Sequence, residues 1–353
     1  MQKSNKKQSP IKKLFILIII SIVIFGGLTV YKFYAGVKES NVNVGAKNAV
    51  YIYISTGSDY NDVKKIIYNN NLIKNKKSFE WVAEKKKYPA LIKPGRYKIK
   101  PDMSNNDFVN LLRSGKQEPV KLVFNKVRTK ERFAGIIAKQ LELDSADLVK
   151  KLYNNSYLKQ FGKNSETAIT LFIPNTYELY WTAGVDEFFN RMYAEYKRFW
   201  NKSRLKKAEK TGMTPEQVTI LASIVEEETI YNKEKPIIAS VYLNRLKKGM
   251  RLQACPTVKF ALKDFEKKRV LIEDVKFDSP YNTYKNKGLP PGPICIPTIS
   301  SIDAVLNHKN TDYLYFCAKD DFSGYNIFAK TLKQHNKNAK RYQDALNRNG
   351  IYR

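Results

Sequence analysis

Residues 14–31, LFILIIISIVIFGGLTVY, run without a single charge. At a helical rise of about 1.5 Å per residue, such a run reaches roughly 27 Å, close to the hydrocarbon thickness of a bilayer. Lys3, Lys6, Lys7, Lys12 and Lys13 precede it and no acid does. The positive-inside rule then predicts that residues 1–13 stay in the cytoplasm and that everything after Tyr31 is exported. A cleaved signal peptide is the competing reading. The run is long for a signal's apolar core, however, and no convincing small-x-small site follows it. The sequence therefore predicts a single-pass anchor over 14–34 in the cell (inner) membrane, with the bulk of the chain on the periplasmic or extracytoplasmic side.

That placement constrains how the charge is read. With 63 Lys and Arg against 33 Asp and Glu, the net charge is +30. Basic surfaces attract nucleic acid, anionic lipid or acidic wall polymers, and export removes nucleic acid as a partner. Compositional bias explains the charge equally well. Cys255, Cys295 and Cys317 show no CxxC or metal-ligand spacing, and His308 and His335 are the only histidines. No metal and no cofactor are expected. A protease or esterase would need a nucleophile motif, and no GxSxG elbow is present.

Residues 35–48 are polar and unpatterned and read as a linker. VYIYIST (50–56) is β-branched and aromatic, which predicts a strand. A helix is expected from Ser58 or Asp59, another over FEWVAEKK, and a strand over GRYKIK (95–100). A further helix opens with Ser104 and Asp107 in capping-box spacing and closes at Gly115. Together these elements form a small α/β module over 49–117. Beyond it, PVKLVF (119–124) predicts a strand, RFAGIIAKQLEL and SADLVKKLYN predict helices, and LFIPNTYELYW is broken by Pro174. The segment from Val185 to Gly212 is one long amphipathic helix or a pair. DYLYFCAK (312–319) reads as a buried strand, and FAKTLKQHNKNAKRYQDALN as a closing helix.

The stretch MTPEQVTILASIVEEET carries the chemistry. Thr214 and Gln217 form a capping box and Pro215 suits the first helical position. Val218, Ile220, Leu221, Ala222, Ile224 and Val225 cover most of the circumference, so the helix is buried nearly all round. Glu226, Glu227 and Glu228 follow, and at about 100° per residue they point three different ways. Glu226 shares a side with Ala222, Ser223 and Ile230 and emerges from the packed region first. Apolar neighbours would raise its pKa, as a general acid near neutral pH requires. A solvated surface acid is the other reading of Glu226, and Glu227 reads as plain surface. In the next helix, Ile237, Ile238, Val241 and Tyr242 form an apolar face. Arg245, one turn after Val241, points either back toward the carboxylates or to solvent. Loop 279–298, SPYNTYKNKGLPPGPICIPT, combines prolines with aromatic and amide side chains, which suits a sugar's CH face and hydroxyls; an ordinary crossover loop is the alternative.

The motifs LASIVEEET, VYLNRL, MRLQACPTV, SPYNTY, GLPPGPI and YLYF, in this order and spacing, resemble the MltG (YceG-like) family of endolytic murein transglycosylases. FIPNTYELYW resembles that family's Phe-x-Pro-x-Thr-Tyr segment. The likeness is strong over about 118–350 and looser over 50–116, which corresponds to the family's LysM-like module. The resemblance implies an α+β protein: a transmembrane helix, a LysM-like module (49–117) and a YceG-like catalytic domain (118–353). It implies lytic cleavage of peptidoglycan glycan strands between N-acetylmuramic acid and N-acetylglucosamine, with a 1,6-anhydro end left behind and nascent strands terminated. Peptidoglycan synthases are expected partners. Only one protein carboxyl is needed, where ordinary glycosidases need two. Matched to the family, the catalytic position is Glu226, and Glu228 is a second acid that orients the sugar or the helix end. Asn244 and Arg245 are supporting candidates. Gln253, Thr257, Tyr281, Asn282, Thr283 and Tyr284 are substrate-binding candidates.

Two positions depart from the family pattern. Cys255 stands where Leu-Gln-x-Asp-Pro-Thr has Asp, and Asn326 where His-x-Phe has His. Both are expected in or near the cleft. They make a binding-only scaffold on the same fold the main alternative.

Overall fold

The computed structural model of the protein describes residues 10–267 and 269–350. Lys3, Lys6 and Lys7, which bear on the expected cytoplasmic segment 1–13, lie outside the described residues. The chain divides into two compact units, one of residues 1–120 with 180–182, the other of 121–179 with 183–353.

The first unit begins with α1 (Pro10–Lys38). Its segment Lys13–Lys38 is long and apolar enough to cross a membrane by length and composition. The strands β1 (Val50–Ile54) and β2 (Gly95–Ile99) pair antiparallel, with Val50 opposite Ile99 and Ile54 opposite Gly95. Between them lie α2 (Tyr60–Asn69) and α3 (Lys76–Lys85), and α4 (Asn105–Ser114) follows. Asp59 and Asp62 close a capping box on α2. On α4 only one arm of the expected box forms. The Asp107 amide donates to Ser104 Oγ, but that hydroxyl donates to the Asp107 carboxylate at 2.7 Å, so the carboxylate does not reach back to the cap's backbone. Gly115 ends α4 at φ 73°, in the left-handed region that glycine enters without strain.

The linker expected over 35–48 is corrected in its middle. Val42 and Val44 are buried in the unit's core, and Val42 bridges Ile73. Asn41 donates to Asn105 Oδ1 at 2.7 Å. Two alternating valines are too short a pattern to stand out in a polar stretch, yet they are enough to seat it on a core.

In the second unit β3 (Val120–Phe124) pairs with β4 (Asn175–Leu179). The helices α5 (Lys130–Ala138), α6 (Ser145–Tyr153) and α7 (Asn155–Leu158) lie between them in sequence. A ring cluster welds this part: Phe133 packs on Phe172 at 4.5 Å between centroids, and Phe172 stacks on Phe188 at 5.7 Å. Such pairs add roughly 0.5–1.5 kcal/mol each beyond area burial. The segment after Val185 is a pair of helices, α8 (Val185–Phe199) and α9 (Lys202–Lys210), because Asn201 caps the second.

The centre of the unit is α10 (Pro215–Glu228), with every residue from Val218 to Val225 buried. It packs against α11 (Lys235–Lys247) and α13 (Ile299–Leu306); α12 (Cys255–Leu262) lies beside it. The strands β5 (Tyr315–Ala318) and β6 (Asn326–Ala329) form an antiparallel hairpin against which α14 (Leu332–Arg348) packs. The strand expected to be buried at 312–319 is instead half-buried. It has one strand partner, so its other edge is not covered by the sheet.

Candidate active site

The reciprocal Thr214–Gln217 box and Pro215 fix the start of α10, and burial of the next two turns fixes its direction. Ser223 ties the helix to the proline-rich loop: its hydroxyl accepts from the Ile294 amide at 3.0 Å. The three glutamates therefore leave a rigid rod, and each meets a different set of partners.

Glu226 is the most tightly held. Its Oε2 accepts from the hydroxyls of Thr298 and Ser301, both at 2.5 Å, from the Thr298 amide at 3.2 Å, and from Lys235 Nζ at 3.2 Å. Burial pulls its pKa up, but the two hydroxyls and the ammonium outweigh it and hold the carboxyl below its usual range. This overturns the expectation of a raised pKa at Glu226. Apolar neighbours along α10 suggested desolvation, whereas α13 and α11 supply donors that stabilise the charge. Glu227 is likewise not plain surface. Only 11% of its side chain is exposed, and it pairs with Lys126 at 2.9 Å and, through both oxygens, with Arg128. Burial again acts upward and these cations outweigh it, so its pKa is lowered.

Glu228 is different. Burial raises its pKa from 4.5 to about 7, against the opposing pull of the Tyr242 hydroxyl, which donates to it at 2.5 Å. Glu228 lines a cavity of about 300 Å³ together with Tyr242, Arg245, Gln253, Cys255, Tyr284 and, from the hairpin and α14, Tyr315, Phe316 and His335. Among the described residues lining this cavity it is the only carboxylate. A lone carboxyl whose pKa burial raises toward neutrality, in a cavity walled by rings and amides, is equipped to give and take one proton.

The sequence candidates sort cleanly. Arg245 is buried and does not face solvent. It donates to the carbonyls of Leu314 at 2.6 Å and Leu252 at 2.9 Å and to Gln253 Oε1 at 3.1 Å, so it clamps the cavity wall without pairing with a carboxylate. Gln253 lines the cavity at φ 52°, a left-handed conformation that costs a non-glycine residue energy and is kept here by its amide's bond to the Thr283 carbonyl. Tyr284 also lines it, with its hydroxyl 3.1 Å from Cys255 Sγ.

Four candidates are consumed by architecture. Asn282 is buried and donates to the Val275 and Phe277 carbonyls at 3.0 and 2.7 Å. Thr257 and Thr283 are buried and bond to each other at 2.8 Å. Asn244 donates to the Thr311 and Tyr313 carbonyls and lines a separate cavity of about 790 Å³ that holds no carboxylate. Tyr281 lines yet another cavity. Asn326, expected in or near the cleft, bonds to the buried Glu234 through its backbone amide at 2.7 Å and its side chain at 3.0 Å, and it is not among the cavity's lining residues.

Sequence reasoning passed over Tyr242 as a partner and weighed His335 only as a metal ligand, not as a cavity residue. The three-residue spacing of Tyr242 and Arg245 on α11 puts both on one face and was the available signal for the first. His335 stacks on Tyr315 at 5.4 Å, and its Nδ1 is buried without a partner. Burial, and then the nearby Arg245, lower its pKa and keep it neutral at neutral pH.

The Tyr242 hydrogen bond carries a prediction. Because that hydroxyl stabilises ionised Glu228, its removal raises the Glu228 pKa further. In Tyr242→Phe the alkaline limb of kcat/KM should move to higher pH than in wild type. A limb that stays in place would detach Tyr242 from the ionisation that matters.

Known proteins with a similar sequence or structure can be set beside this geometry. A model of the YceG-like family matches residues 52–341. A Bacillus subtilis (strain 168) protein named endolytic murein transglycosylase is 31% identical over 324 residues, covering 87% of this chain and 88% of that protein. A Streptococcus pneumoniae (strain D39) protein of the same name is 26% identical over 356 residues; the match covers 91% of this chain and 63% of that longer protein. The 2.6 Å crystal structure of a YceG-like protein from Listeria monocytogenes superposes with a TM-score of 0.55 at 32% identity, covering 83% of this chain and 99% of that one.

Proposed function

Because the chain belongs to the YceG-like family, we propose that it is a membrane-anchored lytic transglycosylase of peptidoglycan, and that Glu228 rather than Glu226 carries its acid–base chemistry. The names of the relatives support endolytic action on murein. The single observation that carries the residue assignment is the position of Glu228 as the one carboxylate, among the described residues, that lines a cavity of about 300 Å³, with its pKa raised to about 7.

The chemistry follows from one carboxyl. Protonated Glu228 gives its proton to the oxygen linking N-acetylmuramic acid to N-acetylglucosamine, and the bond from that oxygen to the muramic anomeric carbon breaks. The resulting carboxylate takes the proton of the muramic C6 hydroxyl as its oxygen bonds to the anomeric carbon. A 1,6-anhydro end forms, Glu228 is protonated again, and no water is consumed. A hydrolytic glycosidase needs a second carboxyl at roughly 5–9.5 Å to act as nucleophile or to activate water. Glu226 and Glu227 are engaged by cations and hydroxyls, which suits them to hold the end of α10 rather than to exchange protons. Arg245 and Gln253 position the wall, and Tyr284 offers a ring to a sugar face.

The apolar helix over Lys13–Lys38 supports an uncleaved anchor that leaves the catalytic unit outside the cytoplasm. The segment 49–117 is retained as a LysM-like glycan-binding module, with action on nascent strands beside their synthases. Cys255, a neutral thiol in the cavity where the family pattern has an acid, favours one second reading: a weakened enzyme that chiefly binds glycan. Incubating the full-length protein in detergent with uncrosslinked, peptide-free glycan strands and weighing the products separates the two. Anhydro-ended fragments are expected. Hydrolytic reducing ends would overturn the lytic chemistry, and intact strands would leave the binding protein.

A further inference from the structure

A second cavity in the same unit, of about 320 Å³, lies at the far end of α12. Phe260, Phe265, Tyr281 and Ile169 give it an apolar lining, and Lys130, Lys263 and Glu166 also line it. None of these three charged side chains forms a hydrogen bond or ion pair with a described residue, although Lys130 lies 3.8 Å from the Tyr153 ring centroid and is drawn by the carboxylates of Glu166 and Glu131. Glu131 and Arg128 line the cavity too, the first bonded to the Tyr153 hydroxyl and the second paired with Glu227; Lys263 and Glu166 are exposed. The cavity is built rather than incidental. Phe260 packs on Tyr281 at 4.8 Å, and Gly292 brings the proline-rich loop so close that a Cβ there would lie 2.1 Å from the Glu166 carbonyl. α12 joins it to the Glu228 cavity: Cys255 lines the first, Lys259 and Phe260 an intermediate one of about 150 Å³, and Phe260 and Lys263 the second. From Cys255 to Lys263 is about 12 Å along a helix.

Resting on the reading of the chain as a peptidoglycan transglycosylase, we propose that this cavity binds the short peptide carried by muramic acid residues, so that the enzyme prefers peptide-bearing strands to naked glycan. The charges decide between sugar and peptide. N-acetylglucosamine is uncharged, and the muramic carboxyl is consumed in its amide to the peptide. A site for sugar rings alone has no use for charges of both signs whose hydrogen-bonding capacity is left unfilled. The stem peptide has free carboxylates for Lys130 and Lys263, an amine on its diamino acid for Glu166, and alanine methyls for the Phe260 and Tyr281 walls. The half-buried setting of Lys130, whose pKa burial depresses, makes an arriving carboxylate worth more there than on open surface.

The test compares kcat/KM of the full-length protein on uncrosslinked strands that carry stem peptides and on the same strands stripped by an amidase. Wild type should favour peptide-bearing strands by about tenfold or more, the scale of one or two charge-assisted hydrogen bonds. The double substitution Lys130→Gln with Glu166→Gln should bring that ratio close to one, mainly through KM. An unchanged ratio in the double variant, or equal losses on both substrates, would overturn the proposal; equal losses would give the cavity to the sugar chain. Calorimetry with free stem peptide is independent of cleavage. Binding by wild type that the double variant lacks supports the site even if neither substrate is cut, and absence of binding by wild type overturns it.

Discussion

Glu228→Gln should abolish glycan cleavage while leaving the fold intact. The amide keeps the size of the side chain and can still accept from Tyr242, but it has no carboxyl proton to give. Acid–base catalysis by one positioned group contributes about 10²–10⁴-fold, and with no other carboxylate among the described residues that line the cavity, little remains to substitute for it. Stability should move the other way. An acid whose folded pKa is raised from 4.5 to about 7 favours folding fully below its unfolded pKa, and that contribution is lost as pH rises through about 7. Above that pH, Glu228→Gln should therefore unfold at a higher temperature than wild type. Thermal melts at acid and alkaline pH, run beside product assays, read both effects.

Glu226→Gln should do the reverse: it should cost stability far more than chemistry. Lys235 has 5% of its side chain exposed and Glu226 10%, so the substitution leaves a buried ammonium without its counter-charge. Breaking one side of a buried pair typically costs about 3–5 kcal/mol. In a unit of this size that is a fall in Tm on the order of 10 °C. The sign with pH follows from the lowered pKa of Glu226. Its stabilisation is present above the unfolded carboxyl pKa and disappears as pH falls through the folded one. Wild type should lose stability on acidification by a component that Glu226→Gln lacks. A melt unchanged by the substitution would mean that Lys235 finds another partner.

These two glutamates mark where the sequence stops being sufficient. The start of α10 was legible to the residue, because Thr214, Pro215 and Gln217 act on their own neighbours. Its burial was legible from an unbroken apolar circumference. Rotation by about 100° per residue correctly separates the three acids. What waits in each direction is set elsewhere in the chain: Thr298 and Ser301 some seventy residues on for Glu226, Lys126 and Arg128 a hundred residues back for Glu227. No local pattern carries that information. The same holds in loop 279–298. Its amide and hydroxyl groups suit a sugar by composition, yet Asn282 is spent on the Val275 and Phe277 carbonyls just before the loop and Thr283 on Thr257, and of the loop only Tyr284 reaches the Glu228 cavity. Polar side chains in a tight loop first satisfy buried backbone groups, and that demand competes with any ligand. The linker reading failed for the opposite reason, since Val42 and Val44 are a signal of only two residues.

The assignment of the proton to Glu228 is tested most directly by measuring Glu226→Gln and Glu228→Gln side by side on one preparation of peptide-free glycan, with initial rates of anhydro-end formation corrected for the folded fraction of each protein. Glu228→Gln should lose at least about 10² in rate, and Glu226→Gln should, per folded molecule, stay within about tenfold of wild type, since Glu226 acts only through the pose of α10. The opposite ranking, with Glu226→Gln inactive though folded and Glu228→Gln active, would contradict the assignment.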